Sequence, residues 1–145
     1  GPRVAGEFLA SVGVEENIIE HVRQIILNMS FKASLGEVTF HSKELEVVQD
    51  ADRLDAIGAI GIARAFNYGG YKNREMYDPN IAPKENLSKE EYKKTSAPTI
   101  NHFYEKLLLL RDKMNTPSAK AIAAQRHQFM EDFLQQFYAE WEGKR

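Results

Sequence analysis

A chain of 145 residues is the size of one domain and can bury roughly two-thirds of the surface that its unfolded form exposes. Hydrophobic residues at 43% and charged residues at 28% exclude a chain disordered as a whole, and 19 basic against 21 acidic side chains leave a net charge of -2, which excludes a global positive field for duplex nucleic acid or an anionic membrane. Without cysteine there is no disulfide, thiolate zinc site or cysteine nucleophile, so any metal takes oxygen or imidazole ligands, and the composition fits a reducing cytoplasm. No uncharged apolar run approaches the roughly 20 residues of a membrane span, and no basic-then-apolar segment opens the chain.

The first elements are a short helix over 3–12 and a longer one over 14–30, in which Val14, Ile18, Val22, Ile25, Ile26 and Met29 recur at helical spacing. Gly13 separates them, and Glu15 and Glu16 suit the positive end of the second dipole, so the pair reads as a helical hairpin. Residues 37–41 offer a short strand. One long helix is expected over 43–67, with Gly69 and Gly70 as its stop.

Residues 67–98 contain Gly69, Gly70, Pro79, Pro83 and Pro98 among polar residues, with a capping-box start for one short helix at Ser88-Lys89-Glu90-Glu91. This is a long irregular loop, either a lid or a surface excursion. Ile100, Phe103, Leu107, Leu110 and Met114 then mark a helix, and Thr116 with Pro117 announces the next by its cap and first position. In that last helix Ile122, Arg126, Phe129, Phe133, Phe137 and Trp141 form one stripe, widened by Met130 and Leu134. There is no internal repeat. The fold class is all-α, a helical bundle forming a single domain over 1–145.

The chemistry concentrates in Val47 to Phe66, VVQDADRLDAIGAIGIARAF. On one continuous helix Val48, Asp52, Asp55, Ala59, Ile62 and Phe66 share a face, so Asp52 and Asp55 are expected to point inward within an apolar stripe. Buried carboxylates call for a metal, an arginine or several hydrogen-bond donors. Asp50 shares a face with Glu46, Arg53 and Ile57 and can pair locally with Arg53. Gly58 and Gly61 within the helix suggest close approach of a neighbour.

The run DADRLDAIGAIGIAR, Asp50 to Arg64, resembles the last signature segment of the HD-domain metal-dependent phosphohydrolases, in particular a stand-alone bacterial subgroup of nucleotide pyrophosphohydrolase-like proteins. Ser30-Phe31-Lys32, Tyr77-Asp78-Pro79 and INHFYEKLLLLRDKMNT (Ile100 to Thr116) are similar to that subgroup as well, so the likeness covers nearly the whole chain. It implies an HD-type helical bundle, a divalent ion (Mn2+ or Mg2+ first, other divalent ions next) and a nucleotide as small-molecule partner. The activity implied is hydrolysis of a phosphoanhydride bond in a nucleoside triphosphate. In the family a histidine, a His-Asp pair and a final aspartate within Ala-Asp-Arg-Leu hold the metal. Ala51-Asp52-Arg53-Leu54 assigns that aspartate to Asp52, with Asp55 one turn along as an outer acceptor or substrate contact.

None of the four histidines, His21, His41, His102 and His127, is followed by aspartate. The family's earlier ligands would precede Gly1, so the chain is expected to be the C-terminal portion of a longer enzyme, inactive alone, or else a noncatalytic remnant. His21 reads as a packing residue, His41 as a loop residue and His127 as lying on a solvated face. His102 and Lys106 form an i,i+4 pair able to meet an anion together, or a solvent-facing polar pair. Arg53 and Arg64 suit phosphate or ion pairs with Asp50 or Glu46. Tyr68, Tyr71 and Tyr77, interleaved with Lys72 and Arg74, suit a stacked base and its phosphates, or pack the loop onto the bundle. No catalytic acid or base is singled out, and a homodimer is compatible with the reading. The competing class is a noncatalytic helical interaction module whose aspartates close ion pairs.

Overall fold

Helix α1 (Pro2–Ser11) and helix α2 (Glu16–Asn28) pack against each other as a hairpin, turned at Gly13. The structure is a computed structural model that describes residues 1–30, 40–84 and 96–144. It divides into two compact units, Gly1–Asp52 and Arg53–Arg145. In the first, Ile19 is the buried anchor of α2, and Arg23 holds Glu16 at 3.0 Å and Glu20 at 3.5 Å. Helix α3 (Lys43–Asp55) begins where the Ser42 hydroxyl accepts from the Leu45 amide at 3.0 Å, and Gln49 Nε2 donates to the Asn28 carbonyl at 3.0 Å, fastening α3 to the end of α2. Most of the strand expected over 37–41 and the short helix expected at Ser88-Lys89-Glu90-Glu91 fall outside the described residues; among those described there is no strand.

The long helix expected over 43–67 is two helices. α3 ends at Asp55, and α4 (Gly58–Tyr71) starts after a turn at Ala56 and Ile57. Gly58 sits at φ +76°, which L side chains rarely adopt, and a Cβ there would meet the Arg126 side chain at 3.0 Å. Gly58 thus restarts the chain in a new direction. Gly69 and Gly70 lie inside the last turn of α4, and the true stop is the turn through Lys72 and Asn73, the latter at φ +52°.

Gly61 serves a different purpose. A Cβ on it would overlap the Ala56 carbonyl, a backbone atom with nowhere to go. Helix propensity alone favours alanine by up to about 1 kcal/mol. The overlap reverses the sign, so Gly61→Ala is expected to destabilise the protein by about 1–3 kcal/mol in a urea titration; a stabilised variant would contradict the described turn.

The second unit continues through a π-helix (Phe103–Leu107), a 3-10 helix (Leu108–Lys113) and helix α5 (Pro117–Trp141). The expected stripe Ile100, Phe103, Leu107, Leu110 and Met114 is buried in full, although little of the segment is α-helical. A wide π turn followed by tight 3-10 turns averages to nearly the α period, which keeps the apolar residues in register. Phe103 stacks on Phe133 at 5.9 Å and lies 6.0 Å from Phe66. Thr116 caps α5 by accepting from the Ala119 amide at 3.2 Å, with Pro117 at the first position.

The buried face of α5 is Ala119, Ala123, His127, Met130 and Leu134. The large-residue stripe read from the sequence is offset from it: Ile122, Phe129 and Trp141 are exposed, and Phe133 and Phe137 are half-buried. Two of these buried residues are alanines, and a reading weighted by side-chain size passes over them. His127 is accordingly buried and not on a solvated face, with Nε2 3.3 Å from Glu131.

Candidate functional site

The inner face of α3 carries Leu45, Gln49, Asp50 and Arg53, while Asp52 and Asp55 are exposed. This corrects the inward orientation expected for both aspartates. Ile62 and Phe66, which gave the stripe its apolar character, belong to α4, so the break before Gly58 removes the surface against which the carboxylates were to be buried. Exposure keeps both charges in water at no desolvation cost.

Asp55 forms an ion pair with Arg64, whose guanidinium also reaches the Asp55 carbonyl at 3.3 Å. Arg64 therefore meets neither Asp50 nor Glu46 in this pair. Arg53 is 5% exposed and donates Nη1 to the Lys113 carbonyl. It ties the end of α3 to the end of the 3-10 helix. Among the described residues no three His, Asp or Glu side chains gather into a group able to hold a metal ion. A divalent ion needs several such ligands, so Asp52 and its described surroundings do not by themselves complete a metal site.

The described part of the long loop is a pinned excursion. The Thr99 amide donates to the Glu75 carbonyl and the Ile100 amide to the Met76 carbonyl, both at 2.9 Å. Asn101 Nδ2 donates to the Ile81 carbonyl at 2.9 Å, and the Lys84 amide to Glu105 at 3.2 Å. Tyr77 lies edge-on to Phe137, Tyr138 and Trp141 at 6.0, 5.2 and 5.3 Å, so this tyrosine packs the loop onto α5. Tyr138 donates to the Tyr104 hydroxyl at 3.1 Å, and burial, followed by that contact, pushes its phenol above the ordinary range. Asn101 and Glu105, both buried, are the loop's anchors that sequence reasoning missed.

The loop brings Arg74 toward His102 and Lys106. Partial burial, then the positive charges of Lys106 and Arg74, hold the His102 imidazole down to about 4, so it is neutral at pH 7. An unfolded chain takes up this proton near 6.5, and the folded chain refuses it until about 4. The contribution to stability is thus complete above about 6.5 and lost as pH falls toward 4. Thermal midpoints measured across that window should fall more steeply for the native protein than for His102→Gln; parallel curves would contradict it. Of the other histidines, His41 is exposed and His21 is half-buried, 3.3 Å from Glu44 and edge-on to Phe40 at 5.5 Å.

The chain is 38% identical over 130 residues to the uncharacterized protein YpgQ of Bacillus subtilis (strain 168), an alignment covering 88% of this chain and 55% of YpgQ. A solved Lactobacillus plantarum protein is 48% identical with a TM-score of 0.88, over 94% of this chain and 66% of that one. A solved HD-superfamily hydrolase of Bacillus thuringiensis is 46% identical with a TM-score of 0.72, over 99% and 64%. An HD-superfamily hydrolase is thus among its solved relatives, and the all-helical fold fits an HD-like domain. No family model matches it, and it spans just over half of YpgQ and about two-thirds of the two solved proteins. YpgQ has also been solved in complex with ADP, at 34% identity and a TM-score of 0.73 over 97% of this chain and 61% of YpgQ. The HD-type reading of DADRLDAIGAIGIAR thus agrees with these relatives and with the all-α fold, which is phosphohydrolase-like. No helix among the described residues is long and apolar enough to cross a membrane.

Proposed function

We propose that this chain is part of a metal-dependent phosphohydrolase that acts on nucleotides in the cytoplasm and cleaves a phosphoanhydride bond of a nucleoside triphosphate. The observation that carries the reading is the 46% identity, over nearly all of this chain, with an HD-superfamily hydrolase. The ADP complex of YpgQ supports a nucleotide as the ligand. Asp52, in its Ala-Asp-Arg-Leu context, is the metal ligand this chain contributes, with Mn2+ or Mg2+ as the preferred ion. When bound, such an ion polarises a phosphoryl oxygen and acidifies a water. Asp55 and Arg64 form an outer pair on the Asp52 helix and the next one. His102 and Lys106 contribute to phosphate binding, while Arg53 acts from beneath by fixing the end of α3.

The test is a chimera in which the family's histidine and His-Asp motifs are placed ahead of Gly1, incubated with each nucleoside triphosphate and Mn2+, with the products separated by anion exchange. Metal-dependent release of phosphate or pyrophosphate is expected. No turnover with any nucleoside triphosphate, in a folded and metal-loaded chimera, would overturn the proposal and favour a noncatalytic helical module.

A further inference from the structure

Guanidinium groups hold the last turn of α3 at three successive residues. Arg53 donates to the Lys113 carbonyl, Arg126 donates Nη1 from α5 to the Leu54 carbonyl, and Arg64 reaches both the carbonyl and the carboxylate of Asp55 from α4. A helix C-terminus leaves its final carbonyls without intrahelical partners and carries the negative end of the helix dipole. Asp52 and Asp55 add two exposed carboxylates to that end. Such a terminus frays unless donors and positive charge are brought to it.

The three arginines do different work. The Arg64 and Asp55 side chains are 60% and 62% exposed, so water screens their pair and its contribution is small. Arg53 is part of the buried face of α3 itself. Arg126 lies 72 residues beyond Leu54 in the chain, and the fold makes room for it at Gly58, where an added Cβ would lie 3.0 Å from its Cγ and 3.1 Å from its Cβ. The stem of Arg126 therefore runs along the Gly58 backbone and aims its head at Leu54. The Leu54 carbonyl also accepts from the Ile57 amide at 3.3 Å, and the Arg53 carbonyl from the Ala56 amide at 3.2 Å. Arg126 thus closes the tight turn that joins α3 to α4.

We propose that Arg126 is a positioning residue for Asp52. By capping the Leu54 carbonyl it keeps the last turn of α3 wound, and so holds Asp52, two residues earlier on the same helix, in one direction. A misplacement of about 1 Å at a reacting site can cost about 100-fold in rate, so one unwound turn is enough to matter. This rests on the assignment of Asp52 in the reading above.

The experiment uses two variants. Arg126→Met keeps the stem on Gly58 and removes the donor, and Arg126→Lys restores a positive donor. In this chain without metal, Arg126→Met is expected to speed hydrogen exchange at the Ala56 and Ile57 amides by about tenfold and to lower the backbone order parameters of Asp52 to Asp55, with exchange in α5 unchanged. Arg126→Lys should recover most of both. In the chimera described above, Arg126→Met is expected to lower kcat by about tenfold with KM unchanged, and Arg126→Lys to restore it. Native exchange and order in Arg126→Met would overturn the proposal, and so would a native kcat in an active chimera, which would leave Arg126 as a cap with no bearing on Asp52. If the chimera turns over no nucleotide even with Arg126 in place, the hydrolase reading fails, and the order parameters of this chain still decide whether Arg126 holds Asp52.

Discussion

Phe103→Ala is expected to lower the stability of the second unit by about 3–5 kcal/mol, the range for emptying a buried aromatic site. Phe103 is 0% exposed, stacked on Phe133 and tilted against Phe66, so α4, the π-helix and α5 all converge on it. Its removal leaves a hole lined by rings that cannot collapse without moving three elements. Against a typical total of 5–15 kcal/mol, this brings the variant close to unfolding at ambient temperature. Urea titrations of the native protein and of Phe103→Ala test this. A loss under about 1 kcal/mol would mean that the π-helix does not sit where it is described, whereas Phe103→Leu should recover much of the difference.

The second large effect is on chemistry. In the chimera that carries the family's histidine motifs, Asp52→Asn is expected to reduce nucleotide hydrolysis by about 100-fold or more, because an amide loses the negative charge that binds a hard cation and the metal's contribution amounts to several kcal/mol. Asp55→Asn, which breaks an exposed ion pair with Arg64, should change stability by no more than about 1 kcal/mol and activity by far less than Asp52→Asn. Comparing kcat and KM for the two variants separates these roles. Equal losses would place Asp55 on the metal as well, and unchanged hydrolysis in Asp52→Asn would remove the assignment.

Much of the fold was legible where one residue type has one physical use. Thr116 followed by Pro117 can cap and start a helix and do little else, and α5 begins there. The stripe from Ile100 to Met114 was read as core and is core, but its π and 3-10 winding was invisible, because compensating turns leave the same apolar period. Gly58 and Gly61 were read together as signs of close approach. Gly58 meets that description through the Arg126 side chain of α5 and is also a break at positive φ, while Gly61 faces the Ala56 carbonyl of the turn before its own helix, and sequence spacing cannot tell a glycine that packs from one that turns. That single error turned Asp52 and Asp55 inward, since it joined α3 to α4 and lent them a hydrophobic face. The assignment of Asp52 stood on the Ala51-Asp52-Arg53-Leu54 context, which does not depend on helix continuity. The Tyr68, Tyr71, Lys72 and Arg74 cluster was legible as composition, and its tie to His102 was not, because it depends on backbone bonds from 75 and 76 to 99 and 100.

The most direct test of the account is the metal content of the chimera after dialysis against Mn2+ and then metal-free buffer, measured by atomic absorption beside its Asp52→Asn variant. One Mn2+ per chain in the former and a several-fold lower content in the latter, with both equally folded, is the expected result. One Mn2+ retained equally by both would contradict the central claim that Asp52 is this chain's ligand to a hydrolytic metal.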